Sequence, residues 1–425
     1  MNPLILIFLL SYQDTLALSF DQALERAYRC APNARIAGVT IEQKAIEQEK
    51  VLSEFFPKFT AQAQHMRMDE IPSFKTDISG IPIEFTLGDE RIELLQAGVQ
   101  LPVWTFGRRL HGYALAGEAV ELSRLDSLEQ ARALRMDIAE IFYNILYIDE
   151  AMELTQSALD NSKTHSKEIE DKYNQGLVSQ YDLLKVRTKE KELTPELVDL
   201  TNQRDKLLSQ LAILLNLGED TLLALEKSNA EADEKTSAEY NLDSLLSKRP
   251  AFLQLELGLK MLDRQIKLKQ REALPAIGIG ANYTVQRSPL TGGDWGSGWS
   301  YSIAAQAPIS SGFVNYAEVK RLEKEKEKIA IQKEALIMQI KSELREAQGL
   351  YETSLARFEA AKAREKEAEE LVSIVSKRYR EGLASDIDLI DAQLGLRKAR
   401  VDRLSLEKNI LIARERLTKA TGGRN

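Results

Sequence analysis

Residues 172–184 read KYNQGLVSQYDLL, and residues 378–390 read RYREGLASDIDLI. The two stretches align without a gap at a constant offset of 206 residues, with Tyr, Gly-Leu, Ser and Asp at matching positions. Because the segments around them also repeat, the chain is interpreted as an internal duplication. Each copy ends one helical pattern and starts another, so each predicts the tip of a helical hairpin.

The tip prediction depends on residues that end and start helices. Glycine just past a helical run favours the left-handed turn that ends a helix, and serine is a preferred cap for the next helix. Taken alone, such a tip is a common structural connection. The tip residues are Gly176, Leu177, Ser179, Gly382, Leu383 and Ser385.

The composition favours long helices and argues against several classes of protein. Of the 425 residues, 44% are hydrophobic and 29% charged, and only 11 are proline. A formal charge of −8 without a basic block argues against nucleic acid as the main partner. The single cysteine, Cys30, excludes an intrachain disulfide and a multi-cysteine metal site.

Residues 1–19 are predicted to be a secretory signal. The apolar run Pro3–Leu10 is too short to span a bilayer as a helix, and the small residues Ala17 and Ser19 follow it. No Lys or Arg precedes the run, so a buried N-terminal strand or a misplaced start is the alternative. No other run approaches ~18 apolar residues, and no transmembrane helix is predicted.

The duplication divides the chain into repeat 1, residues 20–217, and repeat 2, residues 242–425, with a linker or equatorial segment at 218–241. Each repeat has the order helix, strand, strand, long helix, return helix. Period-two alternation predicts the strands, and proline-free runs at 107–175 and 313–381 with apolar residues three and four apart predict the two longest helices. Pro195 interrupts the return helix at 179–217 and is expected to kink it. The predicted strands are 57–67, 92–103, 275–286 and 298–308, and the predicted long helices are 107–175, 179–217, 313–381 and 385–421.

Proline and glycine mark the corners where a strand passes into a long helix. In repeat 1 these residues are Pro102 and Gly107, and in repeat 2 they are Pro308 and Gly312. Repeat 1 also carries about twelve extra residues between its strands, within residues 69–91. A longer loop is predicted there.

Four strands of this kind must assemble with others if they lie in a membrane. Segments of about ten alternating residues are typical of outer-membrane strands, and an open sheet leaves its edge groups unpaired in hydrocarbon. Three copies would supply twelve strands and twelve long helices able to close around one axis. Two copies would reach only the smallest barrel, which is filled by its own side chains.

Together these features resemble the TolC-type outer-membrane efflux and secretion channels over about residues 18–422. The resemblance is carried by the proline-glycine corners, by Tyr-x-x-Gly-Leu-x-Ser-x-x-Asp at the tips, and by their doubled order. It implies a mainly α-helical homotrimer with one shared 12-stranded membrane β-barrel and a periplasmic α-helical barrel closed at its tips. It also implies an outer-membrane location in a Gram-negative-type bacterium, contact with outer-membrane lipid, and two partners: a periplasmic adaptor and an inner-membrane efflux pump or ABC transporter.

The resemblance further implies roles for four residues. Asp388 and Asp391, on one helix face, match aspartates of the periplasmic constriction, where six carboxylates would attract cations and raise some of each other's pKa values. The ordinary alternative is that acidic residues are favourable in the first turns of any helix. Asp182 and Tyr379 match partners in tip contacts between neighbouring hairpins, with a helix cap and a packed aromatic as alternatives. Ala384 replaces the gate arginine of the best-known pattern, which leaves the details of this contact open.

No enzyme site and no cofactor are predicted. The three histidines, His65, His111 and His165, fall on a strand, a corner and a helix, and no metal spacing, nucleophile motif or phosphate loop is found. The alternative to a channel is a soluble or surface-attached coiled-coil scaffold without pore activity, whose short strands form a small capping sheet. Solubility separates the two, because a channel would require detergent for extraction.

Overall fold

The computed structural model describes most of both repeats. Three predictions lie wholly or partly outside the described residues: most of the signal segment, the corner residue Gly312, and most of the linker at 218–241. The described residues are 16–69, 73–78, 80–86, 91–218, 221–227, 241–287, 294–308 and 314–423.

The chain forms two compact units, and each takes segments from both repeats. Unit 1 comprises Met1–Val39, Leu125–Leu253 and Glu334–Asn425, and unit 2 comprises Thr40–Arg124 and Gln254–Lys333. The duplicated halves therefore share their cores instead of folding as separate domains.

Helices dominate the described residues. The two longest, α3 and α7, have 67 residues each, which corresponds to a length on the order of 100 Å. None of the described helices combines the length and the apolar character needed to cross a membrane. The helices are α1 (Phe20–Cys30), α2 (Pro32–Ser53), α3 (Arg108–Asn174), α4 (Gln180–Leu214), α5 (Leu242–Leu246), α6 (Pro250–Glu272), α7 (Val314–Arg380) and α8 (Asp386–Thr421).

Local sequence signals set several helix starts. Ser19 forms a capping box with Gln22 at the start of α1. Pro32 and Pro250 are the first residues of α2 and α6, where the missing N–H of proline leaves no helical hydrogen bond unmade. These two prolines match each other between the repeats.

The largest core of unit 1 is aromatic at its centre. Phe20 lies 5.6 Å from Phe142 and 5.2 Å from Tyr143, measured between ring centroids, and Leu211 and Leu215 are fully buried beside them. Burial raises the pKa of Tyr143 to about 12. Next to this core, β1 (Leu16–Leu18) pairs in parallel with β6 (Leu223–Leu225).

Unit 2 contains a four-stranded antiparallel sheet. Its strands are β2 (Lys58–Arg67), β5 (Arg91–Trp104), β7 (Ala276–Arg287) and β8 (Trp295–Gln306). The order is β2-β5-β7-β8, so β5 and β7 join the hairpins of the two repeats. Strands β2 and β8 form the two edges of the sheet within the described residues.

The extra residues of repeat 1 differ from the predicted loop. Within them, β3 (Ser73–Ile78) pairs with β4 (Ile81–Thr86) as a separate antiparallel hairpin. Gly80 has φ +82° in its turn, and Asp77 accepts a hydrogen bond from the Gly80 N–H at 2.8 Å. Prolines at positions 72 and 82 and the short length of each strand hid the alternation.

Candidate functional site

The four-stranded sheet has one apolar and one polar face, as the period-two alternation predicts. Register aligns the apolar residues across all four strands: Phe59 lies opposite Val99, Val99 opposite Ala281, and Ala281 opposite Tyr301. The apolar face consists of Phe59, Ala61, Ala63, Leu95, Ala97, Val99, Leu101, Ile277, Ile279, Ala281, Tyr283, Val285, Trp299, Tyr301, Ile303 and Ala305.

The opposite, polar face carries mainly amides, hydroxyls and small residues, with Met66, Ile92 and Leu94 as apolar members at the end remote from the long helices. Gln62 lies opposite Gln96, and Gln96 opposite Thr284. Its polar members are Lys58, Thr60, Gln62, Gln64, Gln96, Gln100, Asn282, Thr284, Gln286, Ser300, Ser302 and Gln306. A sheet with lipid on one side and water on the other shows this pattern.

The apolar face is exposed in a single chain. Phe59 and Ile303 are each 82% exposed, Tyr301 is 79% exposed and Trp299 64%. Exposed apolar surface of this extent marks contact with a membrane or a partner.

The first strand-to-helix corner is a strained turn tied to its surroundings. Phe106 and Gly107 have φ of +50° and +81°, and the ladder shifts register between Pro102 and Trp104. Arg109 donates to the carbonyl oxygen of Pro102 at 2.5 Å and to that of Glu54 at 3.1 Å. In repeat 2, β8 ends at Gln306, and Pro308 follows.

The two hairpin tips have the same turn geometry. Gly176 has φ +75° and Gly382 φ +73°, a region that disfavours residues with a Cβ atom. The Leu177 N–H donates to the Lys172 carbonyl at 2.9 Å, and the Leu383 N–H donates to the Arg378 carbonyl at 2.8 Å. These bonds, with those from the glycine N–H groups to the tyrosine carbonyls, form a Schellman motif at each tip.

A capping box starts the return helix at each tip. The Asp182 N–H donates to Ser179 Oγ at 3.2 Å, and the Asp388 N–H donates to Ser385 Oγ at 3.1 Å. In return, each aspartate accepts from the serine N–H, at 3.3 Å for Asp182 and 2.9 Å for Asp388. Hydrogen bonds from the Ser385 hydroxyl and N–H lower the pKa of the exposed Asp388 carboxyl.

Three side chains join the two tips within one chain. Lys172 Nζ donates to Asp386 Oδ1 at 2.8 Å and to the Tyr379 hydroxyl at 3.0 Å, and that hydroxyl donates to Asp386 Oδ1 at 2.5 Å. Below this tip triad, Ile169 of α3 and Ile390 of α8 pack in one apolar cluster. At the tips, the first hairpin therefore contacts the second through both polar and apolar side chains.

The tip triad shifts the pKa of each member. Hydrogen bonds to Asp386 and Tyr379 raise the pKa of Lys172. Burial and the hydrogen bond to Asp386 raise the pKa of Tyr379. Burial alone would raise the pKa of Asp386, but hydrogen bonds from Lys172 and Tyr379 outweigh it, so this pKa is lowered. The charged pair is therefore stable through the neutral pH range.

The family model of the outer membrane efflux protein matches residues 51–217 and 241–423. The chain belongs to the outer membrane efflux protein family. The resemblance to TolC-type channels, the fold class and the outer-membrane location are confirmed. No curated protein matches the sequence.

Solved structures of outer-membrane channels share the fold of this efflux protein. CusC matches with a TM-score of 0.78 and 14% identity over 95% of this chain and 92% of CusC. CmeC of Campylobacter jejuni matches with a TM-score of 0.77 and 16% identity, over 95% of this chain and 85% of its own. MtrE of Neisseria gonorrhoeae, in its open state, matches with a TM-score of 0.75 and 17% identity, over 95% of this chain and 89% of MtrE.

The family favours an efflux channel over the scaffold alternative. Its members and the matching structures are channel proteins. Within the described residues, no group of three or more His, Cys, Asp or Glu side chains is placed to hold a metal ion.

In this efflux protein, the predicted tip residues take partners within the chain. Asp182 bonds to Ser179, and Tyr379 bonds to Asp386 and Lys172. The predicted contact from Asp182 to Tyr379 involves neighbouring hairpins and stays a prediction. Asp388 and Asp391 are both exposed.

Sequence reasoning missed Lys172 and Asp386. Lys172 lies 214 positions from Asp386 in the chain, and a single sequence carries no direct sign of such a contact. One signal was available: Asp386 replaces Gln180 at the matching position of repeat 1. An acidic residue present in only one of two similar tips indicates a contact that the tips do not share.

Proposed function

We propose that three copies of this efflux protein form a tunnel that exports substrates together with a periplasmic adaptor and an inner-membrane transporter. The observation that carries the proposal is the four-stranded sheet with two open edges and one exposed apolar face. Such a sheet lies in a membrane only when it closes with other copies, because hydrocarbon does not satisfy edge N–H and C=O groups.

The strand order suits closure by head-to-tail pairing. All neighbouring strands are antiparallel, so the edges β2 and β8 run in opposite directions. Strand β8 of one copy therefore pairs antiparallel with β2 of the next, and the same contact repeats around a ring. With three copies the ring contains twelve strands, a size at which an aqueous lumen opens inside the barrel.

The long helices supply the periplasmic part of the tunnel. Helix α3 runs from the Gly107 corner to the Gly176 tip without interruption, and helices of this length associate through a continuous apolar stripe. The tip triad holds the tips closed, and the Tyr379 hydroxyl, which has one proton, donates it either to Asp386 or to Asp182 of a neighbouring hairpin. Asp388 and Asp391 of three copies line the constriction and attract cations.

The tips also offer a surface for the adaptor. Leu177 is 69% exposed, Tyr181 68% and Leu383 64%, although each lies at a well-ordered turn or helix start. Exposed apolar residues grouped at a turn are favourable anchors for a protein partner. The adaptor is expected to engage this end, and the transporter to deliver substrate to it.

Single-channel conductance in a planar bilayer tests the proposal. Detergent-extracted wild-type protein is compared with Asp388→Ala/Asp391→Ala, and we expect a small cation-preferring conductance whose preference falls in the double variant. An equal cation preference in the wild type and the double variant would place the constriction at other residues. Protein that partitions into the aqueous phase without detergent and never inserts would favour the scaffold alternative.

A further inference from the structure

The polar face of the sheet is almost free of charge. Its wall is built mainly from carboxamides, namely Gln62, Gln64, Gln96, Gln100, Asn282 and Gln286. Lys58, at the helical end of β2, is its one charged residue within the described residues of β2, β5, β7 and β8.

The remaining charged residues of these strands share the register of the apolar face. Glu93 pairs with Arg287 across the ladder and lies 3.3 Å from His65 Nδ1, and Arg67 lies opposite Arg91. All five lie at the strand ends remote from the long helices. Apart from Lys58, charge in these strands thus lies at the remote strand ends in the register of the apolar face, and the polar face between the strand ends carries none.

Glycines on the polar face allow polar side chains of the neighbouring strands to lie close to the backbone of the sheet. A Cβ atom on Gly98 would lie 2.0 Å from Asn282 Oδ1, so the Asn282 amide lies across the glycine on the neighbouring strand. Ser302 packs in the same way beside Gly280, where a Cβ would meet Ser302 Oγ at 3.0 Å. Polar groups that both donate and accept hydrogen bonds therefore line much of this surface.

We propose that this face makes the barrel wall between the strand ends electrically neutral, so that cationic, anionic and uncharged water-soluble cargo pass this stretch alike. Charge selection then occurs outside this stretch. The inference rests on the proposed function, because the polar face lines the lumen only in a closed ring. Charges at the helical end of the strands are screened over about 8 Å at physiological salt, whereas a strand of this length extends about 40 Å, so they do not reach the middle of the barrel.

Thiol modification rates measure the potential in the barrel directly. Cys30→Ser removes the native thiol, and Gln96→Cys places one on the polar face while Ala97→Cys places its neighbour on the apolar face. Thiosulfonate reagents of equal size, one cationic and one anionic, are added from the barrel side of channels in a bilayer. We expect only Gln96→Cys to be modified. Its rates with the cationic and the anionic reagent, each divided by the rate of that reagent with a free thiol, should agree within about twofold.

A matched variant calibrates the measurement. Gln62→Glu adds a carboxylate directly opposite residue 96, and the cationic reagent is then expected to react severalfold faster than the anionic one. A rate ratio of about tenfold or more without Gln62→Glu would overturn the neutral barrel wall. Modification of Ala97→Cys instead of Gln96→Cys would also overturn the proposal, because it would show that the apolar face and not the polar face lines the lumen. Protein that forms no pore would overturn the proposed function itself, and the lumen with it.

Discussion

Lys172 contacts both other members of the tip triad. Its ammonium group contacts both Asp386 and the Tyr379 hydroxyl and also lies 5.4 Å from the Tyr379 ring centroid. The side chain is 36% exposed, so solvent weakens these interactions. Removing the ammonium leaves a partly buried carboxylate with one donor in place of two.

Lys172→Met is expected to shift the tips toward the open state. After allowance for solvent screening, the loss is about 1 kcal/mol per chain, or roughly fivefold in the ratio of closed to open tips. Single-channel recording should show longer open times and a larger mean conductance. Lys377→Met, an exposed lysine of α7 near the same tip, is the control and should behave as wild type.

The lowered pKa of Asp386 predicts that acid opens the tips. A carboxylate with a lowered pKa contributes stability that is complete above its ordinary pKa of about 3.9 and is lost as pH falls through the lowered value. Conductance should therefore stay constant from neutral pH down to about 4 and rise below it. In Asp386→Asn the rise should be much smaller, and an equal rise in this variant would assign the acid response to another group.

At the scale of elements, the effect of replacing a glycine depends on the backbone conformation at its position. Gly382 occupies a left-handed turn at φ +73°, whereas Gly349 lies inside helix α7, and a Cβ atom would meet nothing within 4 Å at either position. The two glycines therefore differ in backbone conformation and not in space.

Alanine at these positions should change stability in opposite directions. Gly382→Ala is expected to cost about 1 kcal/mol because of its positive φ, and Gly349→Ala to gain roughly 0.5–1 kcal/mol because alanine favours a helix. Thermal unfolding of the detergent-solubilised protein checks both signs. A gain of stability in both variants would show that the tip turn is not retained in solution.

The same elements show what a sequence can predict. Alternation and proline-free runs predicted the four sheet strands and the long helices because period and punctuation are local signals. The β3–β4 hairpin was not predicted because its strands have six residues each and Pro82 lies within one of them. The order β2-β5-β7-β8 and the tip triad depend on contacts between the repeats, and local patterns carry no register between distant segments.

At the scale of the whole molecule, the two faces of the sheet should respond differently to charge. Ile303 and Ser302 are adjacent positions in β8, with Ile303 on the apolar face and Ser302 on the polar face of the sheet. In the proposed ring one faces lipid and the other faces water.

Ile303→Lys should prevent stable insertion, because a lysine facing lipid costs about 2–4 kcal/mol near the midplane. Three copies in one ring multiply this cost. Ser302→Lys should insert and form channels. Outer-membrane fractionation, followed by conductance of the extracted protein, checks both variants. Normal insertion of Ile303→Lys would place that face away from lipid.

The open edges β2 and β8 also have a genetic consequence. A chain whose β8 edge is damaged still offers an intact β2 edge, so it enters a ring with healthy chains and leaves that ring unclosed. If half of the chains in a cell carry such damage and mix freely, roughly one in eight of the proposed three-copy rings contains only healthy copies. Edge mutations in this protein should therefore be dominant, whereas mutations that prevent folding altogether should be recessive.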